Sequence, residues 1–113
     1  MRTPDGPLTV SLPLVYSSAG VTMSFAVQHD RATHRFHVEV DGVPCVLDYS
    51  LAAGVMTITH TGVPTEVGGR GIASALVQAA LEAARGEGWK VLPACSYAAA
   101  WMQRHPTYAD LLA

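Results

Sequence analysis

Between Val63 and Ala73 the spacing of apolar residues changes from that of strands to that of a helix, and the change runs through Gly68, Gly69 and Gly71. Before it, Phe36, Val38 and Val40 alternate with Arg35, His37 and Glu39, the period of a half-buried strand. Strands are therefore expected over Phe25 to Val27 and His34 to Val40. Asp41-Gly42 supplies two residues that tolerate the positive φ of a type I′ turn, so Val43 to Tyr49 returns as a hairpin partner. Gly54 opens a further β-rich run, Val55 to His60, which completes an antiparallel meander. After the change, Ile72, Leu76, Ala79, Ala80 and Ala83 recur at three- and four-residue spacing, the stripe of a helix packed on a sheet, and Gly86 and Gly88 can end it. Lys90-Val91-Leu92 reads as a short strand. Ser96 or Tyr97 then starts a second helix that runs to about Arg104, before Pro106 interrupts it. The order is β-β-β-β-α-β-α, an α+β fold.

A chain of 113 residues fits one domain. Residues 1–22, with Pro4, Gly6, Pro7, Pro13 and Ser17 to Gly20, read as an irregular arm, and the patterned domain spans 23–113. Met23, just ahead of the first patterned segment, is an alternative start. Half of the residues are hydrophobic and the formal net charge is −2 without any run of Lys or Arg, which argues against nucleic acid as a partner. Cys45 and Cys95 lack the CxxC spacing of a zinc site or redox dithiol, so a reducing cytoplasm is expected. The apolar stretch from Leu8 to Val15 is broken by Pro13 and too short to span a bilayer, so no membrane association is expected.

The glycine-dense turn flows directly into the first helix, whose leading amides have no internal partners and lie at the positive end of its dipole. Small residues there let an anion reach several N–H donors, and a pyrophosphate suits that geometry. Arg70 either adds a charge-assisted contact to a phosphate or is a solvated turn residue. A P-loop would need Lys-Ser/Thr where Ile72-Ala73 stand. A dinucleotide fingerprint would need a parallel βαβ unit with an acid on the next strand, but antiparallel strands precede this turn and Lys90-Val91-Leu92 carries no acid. A ligand-free connection would explain one or two glycines, but not three within four positions.

The element order and Gly68-Gly69-Arg70-Gly71-Ile72-Ala73 resemble the acetyl-CoA-binding motif of the GNAT N-acetyltransferases, Gln/Arg-x-x-Gly-x-Gly/Ala. His60-Thr61-Gly62-Val63-Pro64, the helix, and Val91-Leu92-Pro93-Ala94-Cys95-Ser96-Tyr97 through His105-Pro106-Thr107-Tyr108 are similar to the small, single-domain GNAT-like family over residues 25–112. Gly68 departs from the motif, standing where it has Gln or Arg, while Gly71 and Ala73 fit. The missing side chain implies weakened rather than abolished binding, since most donors in such a turn are backbone amides.

The resemblance implies an acyl-CoA-dependent N-acyltransferase that moves acetyl from acetyl-CoA to a primary amine, either a small amine or a protein lysine. A noncatalytic CoA-binding or protein-interaction module on the same fold is the alternative. It implies coenzyme contacts from Thr61, Val63, Gly68, Gly69, Arg70, Gly71, Ile72, Ala73 and His105, with the pantetheine arm pairing along the strand that carries His60, Thr61 and Val63. It places the thioester near Cys95, whose thiol serves as acyl relay or simply lies nearby. His60 is the candidate general base, or else a polar strand-end residue facing solvent. Tyr97 protonates the departing thiolate or covers the ligand. Trp101 and Tyr108 read as core or rim aromatics. His29, His34 and His37 have no carboxylate or thiolate partner at zinc-ligand spacing, so no metal is expected. A monomer or weak homodimer is expected.

Overall fold

The computed structural model describes residues 25–113, as β1 (Gln28–Asp30), β2 (Arg35–Val40), β3 (Val43–Ala52), β4 (Val55–Gly62), a 3-10 turn (Thr65–Val67), α1 (Ile72–Glu87), β5 (Lys90–Pro93), α2 (Ser96–Arg104) and a closing 3-10 segment (Pro106–Leu111). The arm expected over 1–22 and the alternative start at Met23 lie outside the described residues. The five strands form one sheet in chain order. β1 to β4 are antiparallel neighbours, and β5 joins β4 in parallel after the crossover through α1. This is the expected α+β order.

Two hairpin turns set the register of the meander. Asp41 (φ 52°) and Gly42 (φ 76°) join β2 to β3, both in the left-handed region that a type I′ turn requires. Ala53 (φ 54°) and Gly54 (φ 76°) repeat the geometry between β3 and β4, with an alanine where asparagine or aspartate is commoner. The first strand differs from expectation: Phe25 to Val27 precede the sheet, and pairing begins at Gln28 opposite His37. The turn after it decides this. Asp30 accepts hydrogen bonds from the amides of Ala32 and Thr33, and His34, expected in a strand, sits in that turn at φ 57°. Phe25 and Val27 still pack against the core.

The helices cover one face of the sheet. Phe36, Val38, Cys45, Leu47, Tyr49, Met56 and Ile58 are buried beneath α1 and α2. The stripe that α1 buries is Ile72, Leu76, Val77, Ala80, Leu81 and Ala84. Ala79 and Ala83, expected in this stripe, are only half-buried. Val77 and Leu81, outside the expected stripe, are fully buried instead. Trp101 and Tyr108 are both buried, so they belong to the core. On the opposite face stand Gln28, Arg35, His37, Glu39, Asp48 and His60, a polar surface tied by the Arg35–Asp48 ion pair (2.6 Å).

Candidate active site

The site begins at the head of α1. Val67 and Gly68 donate their amides to Pro64 (3.1 Å) and Thr65 (3.2 Å), closing the 3-10 turn, and Ala75 donates to Gly71 (3.0 Å) as the first bond of the helix. Between them, the amides from Gly69 to Ser74 have no acceptor among the described residues. These six consecutive donors stand at a helix N-terminus, the positive end of its dipole. The backbone explains two of the turn's glycines, since Gly69 (φ 78°) and Gly71 (φ 79°) are left-handed and a Cβ on either would meet nothing within 4 Å. The space above these amides is open. Gly68 is different: its φ of −66° suits any residue, and a Cβ there would lie 3.5 Å from the Thr65 carbonyl oxygen, an ordinary contact. The departure at Gly68 is therefore not a demand of the fold.

Gly68, Gly69, Gly71, Ile72, Ala73 and Ser74 form one wall of a groove, and Val63 and Tyr97 form the other. Arg70 does not line it. Its guanidinium donates to Asp41 at the tip of the β2–β3 hairpin, 2.6 Å away, and pins the turn to that tip. Both partners are well exposed, so the pair adds at most about 1 kcal/mol.

Val63 of the groove directly follows β4, and Tyr97 stands two residues after Cys95, where the sheet splits. β5 pairs with β4 only as far as Pro93 opposite Ile58, and the Cys95 amide closes the junction by donating to the Ile58 carbonyl (2.9 Å). Beyond that point β4 runs on through His60, Thr61 and Gly62, paired with β3 alone. A bulge lies at the split: Asp48 faces His60 and Tyr49 faces Ile58, so Thr59 is the extra residue, and its hydroxyl donates to the Asp48 carbonyl (3.2 Å). The result is a bare backbone edge beside a bent strand.

Cys95 caps α2 and meets Thr61 across this split, with Sγ 3.6 Å from the threonine hydroxyl. Burial alone would push the thiol up. The amides of Ala98 and Tyr97 at the start of α2, with the hydroxyl and amide of Thr61, outweigh it and bring the thiol below its ordinary range. Cys45 has only burial, which pushes its thiol up.

His60 does not join them. It pairs with Asp48 on the open face, whereas Thr61 pairs with the buried Leu47 on the helix face, so His60 and Cys95 flank the split from opposite sides of the sheet. The His60 ring lies along β4, where a Cβ on Gly62 would be 2.9 Å from its Nε2. His105 lies outside the groove: its ring stacks on Trp101 at 3.7 Å and its Nδ1 donates to the Trp101 carbonyl (2.7 Å). Ser74, which sequence reasoning passed over, lines the groove and accepts from the Trp101 indole N–H at 2.8 Å. No local signal marked it, because that contact joins residues on two different helices.

Among the described residues no group of three or more His, Cys, Asp or Glu could hold a metal ion, and no helix is long and apolar enough to cross a membrane.

The chain is similar to the NMR solution structure of a GCN5-like protein from Staphylococcus aureus, with 25% identity and a TM-score of 0.64 over 79% of this chain and 88% of that one. No curated protein matches it. A family model described as GCN5-related N-acetyl-transferase matches residues 35–111, well over half of the chain. The chain belongs to the GCN5-related N-acetyl-transferase family.

Proposed function

We propose that this protein transfers an acetyl group from acetyl-CoA to a primary amine, by direct attack of the amine at the split between β4 and β5. The observation that carries this reading is the run of amides from Gly69 to Ser74 without an acceptor among the described residues, on a groove that Val63, the residue after β4, also lines. Family membership supports it, since these enzymes use acetyl-CoA. The residues fit the coenzyme's shape: unpaired donors and left-handed glycines suit a diphosphate, and an unpartnered strand edge suits the amides of a pantetheine arm.

Bound acetyl-CoA supplies an acyl group on a sulfur leaving group. In this reading the turn amides hold the diphosphate, Ile72 and Ala73 bring the backbone close to it, and Thr61 and Val63 align the arm beside Cys95. His60 takes the amine's proton on the open face, where an acceptor arrives unhindered by the helices. Tyr97, on the groove side, donates a proton to the departing thiolate. The amine adds to the thioester carbonyl to give a tetrahedral intermediate, which expels the thiolate as His60 holds the amine's proton and Tyr97 supplies one to the sulfur. Arg70, committed to Asp41, positions the turn rather than neutralising the phosphates. A cytoplasmic setting fits two free cysteines.

The test is to mix pure protein with acetyl-CoA and a panel of polyamines and lysine peptides, following free thiol and product mass. Acetylated amine formed in step with free CoA is expected. Stabilisation by CoA without turnover would favour a noncatalytic binding module, and no stabilisation would remove both readings. Cys95→Ser separates the chemical routes. Direct attack predicts turnover within about tenfold of wild type, whereas an obligatory acyl relay through the thiol predicts an inactive, folded variant.

A further inference from the structure

β4 ends on a glycine that its backbone does not ask for. The φ of Gly62 lies outside the left-handed region, so the chain there would accept any residue. Space is what a side chain would lack: a Cβ would stand 2.9 Å from His60 Nε2 and 3.6 Å from its Cε1, with Val46 Cγ2 of the facing strand also at 3.6 Å. Residues two apart on a strand share a face, and the His60 ring leans along β4 with its Nε2 end over Gly62. Among the described residues nothing polar fixes that ring. His29 and His105 each have a hydrogen-bonded ring nitrogen and a stacked aromatic partner, whereas His60 has neither. Asp48, directly opposite, gives both carboxylate oxygens to Arg35, at 2.6 and 3.3 Å. The ring therefore takes its direction from the room left at Gly62. That room lies between Thr61 and Val63, on the stretch of β4 that runs on past its last pair with β5.

We infer that Gly62 is a positioning residue for the transfer: its missing side chain is the seat that lets His60 carry Nε2 along β4 to the point where the amine loses its proton. This rests on the transfer reading above, with His60 as its base. The neutral ring that serves there holds its own proton on Nδ1 and offers the Nε2 lone pair. As the amine bonds to the carbonyl carbon, its N–H bond breaks, an Nε2–H bond forms, and the electron pair of the broken bond stays on the amine nitrogen. A base must lie within hydrogen-bond reach of the proton it takes, and a displacement of about 1 Å costs rate. A glycine inside a strand gives up packing and order, a cost that close approach of another group explains.

The experiment is steady-state kinetics with acetyl-CoA and either spermidine or a lysine peptide, whichever turns over faster, for wild type, Gly62→Ala, His60→Ala and the double variant. Calorimetry gives the CoA affinity of each, and NMR follows the fold and the His60 ring. Gly62→Ala is expected to fold, because its methyl meets the free end of a side chain rather than backbone, and to move the His60 ring resonances. Its kcat falls on the order of tenfold while CoA affinity stays within about twofold of wild type. His60→Ala falls on the order of a hundredfold, and adding Gly62→Ala to it costs nothing further, since the ring that the methyl displaces is gone. Unmoved ring resonances or a wild-type kcat in Gly62→Ala would overturn the positioning role and leave His60 as the base. An equal loss from Gly62→Ala in both backgrounds would overturn it too, by assigning the effect to the strand itself. Full activity of His60→Ala would remove the base, and a wild type without turnover would remove the transfer reading; this inference falls with either.

Discussion

The two ends of α1 are built from the same few residue types and behave in opposite ways. At its C-terminal end the chain turns back and the amides that follow the helix are tied down. Gly88, left-handed at φ 78°, directs its amide back to the carbonyls of Ala84 and Arg85, Trp89 donates to Ala84, and Lys90 donates to Gly54. Beneath that end an aromatic cluster closes the sheet: His29 stacks on Phe36 at 4.0 Å and shares a 2.6 Å hydrogen bond with the Tyr49 hydroxyl, Trp89 tilts against Tyr49, and Arg31 pairs with Glu87 across the surface. At the N-terminal end, Gly71 is equally left-handed, yet six amides in succession have no acceptor among the described residues and the space beyond is open. A glycine cap serves closure at one end and access at the other. Donors of this kind are left to water or to a ligand.

The contrast can be broken most severely at Gly71. Gly71→Glu puts a strained, negatively charged side chain into the turn and should lower CoA affinity on the order of a hundredfold or more, with the fold retained. Unchanged affinity, measured by calorimetry, would show that the diphosphate lies elsewhere. The counterpart, Gly88→Ala, should cost about 1 kcal/mol of stability for the left-handed cap, read from urea melts, and leave CoA affinity unaltered. A loss of affinity equal to that of an N-terminal variant would erase the distinction between the ends.

The closed end also carries a pH dependence. Burial, with Arg31 nearby, lowers His29 from the ordinary 6.5 to about 4. The folded state therefore prefers the neutral ring, so this stabilisation is complete above pH 6.5 and is lost as pH falls toward about 4. Thermal melts across that window should show the decline, and His29→Phe should flatten it; an equal decline in the variant would assign the effect to other groups. The smallest effect is expected at Gly68, whose φ and surroundings accept a side chain. Gly68→Arg should fold normally and tighten CoA binding by roughly threefold, an exposed charge–phosphate contact being partly screened. A weakened complex would mean that the groove needs the bare glycine.

What could be read from the chain depended on how local the cause was. Asp41-Gly42, the switch of period after Val63 and the cap at Gly88 are each decided by two or three adjacent residues, and all stand where pattern and turn chemistry put them. The first strand did not follow its own alternation, because the Asp30 turn and the register with β2 selected Gln28 to Asp30 instead of Phe25 to Val27. In the candidate site, the glycine turn at the head of α1 was legible, but the approach of Cys95 to Thr61 across the sheet was not. Nor were the ties that give side chains their surroundings. Arg70 finds its partner 29 residues away and Trp101 finds Ser74 27 residues away, distances at which no pattern in a single sequence carries a signal. His60 and Thr61 are neighbours whose faces alternate by the pleat, but the bulge at Thr59 decides which face each takes at the split.

The central claim is that the free amides of the α1 N-terminus receive the coenzyme's diphosphate. A titration of isotope-labelled protein with CoA, followed by amide NMR, tests it most directly. The resonances of Gly69, Gly71, Ile72, Ala73 and Ser74 should move most, with those of Gly88, Trp89 and Lys90 at the other end staying in place. Saturable binding that leaves the Gly69 to Ser74 amides unmoved would contradict it.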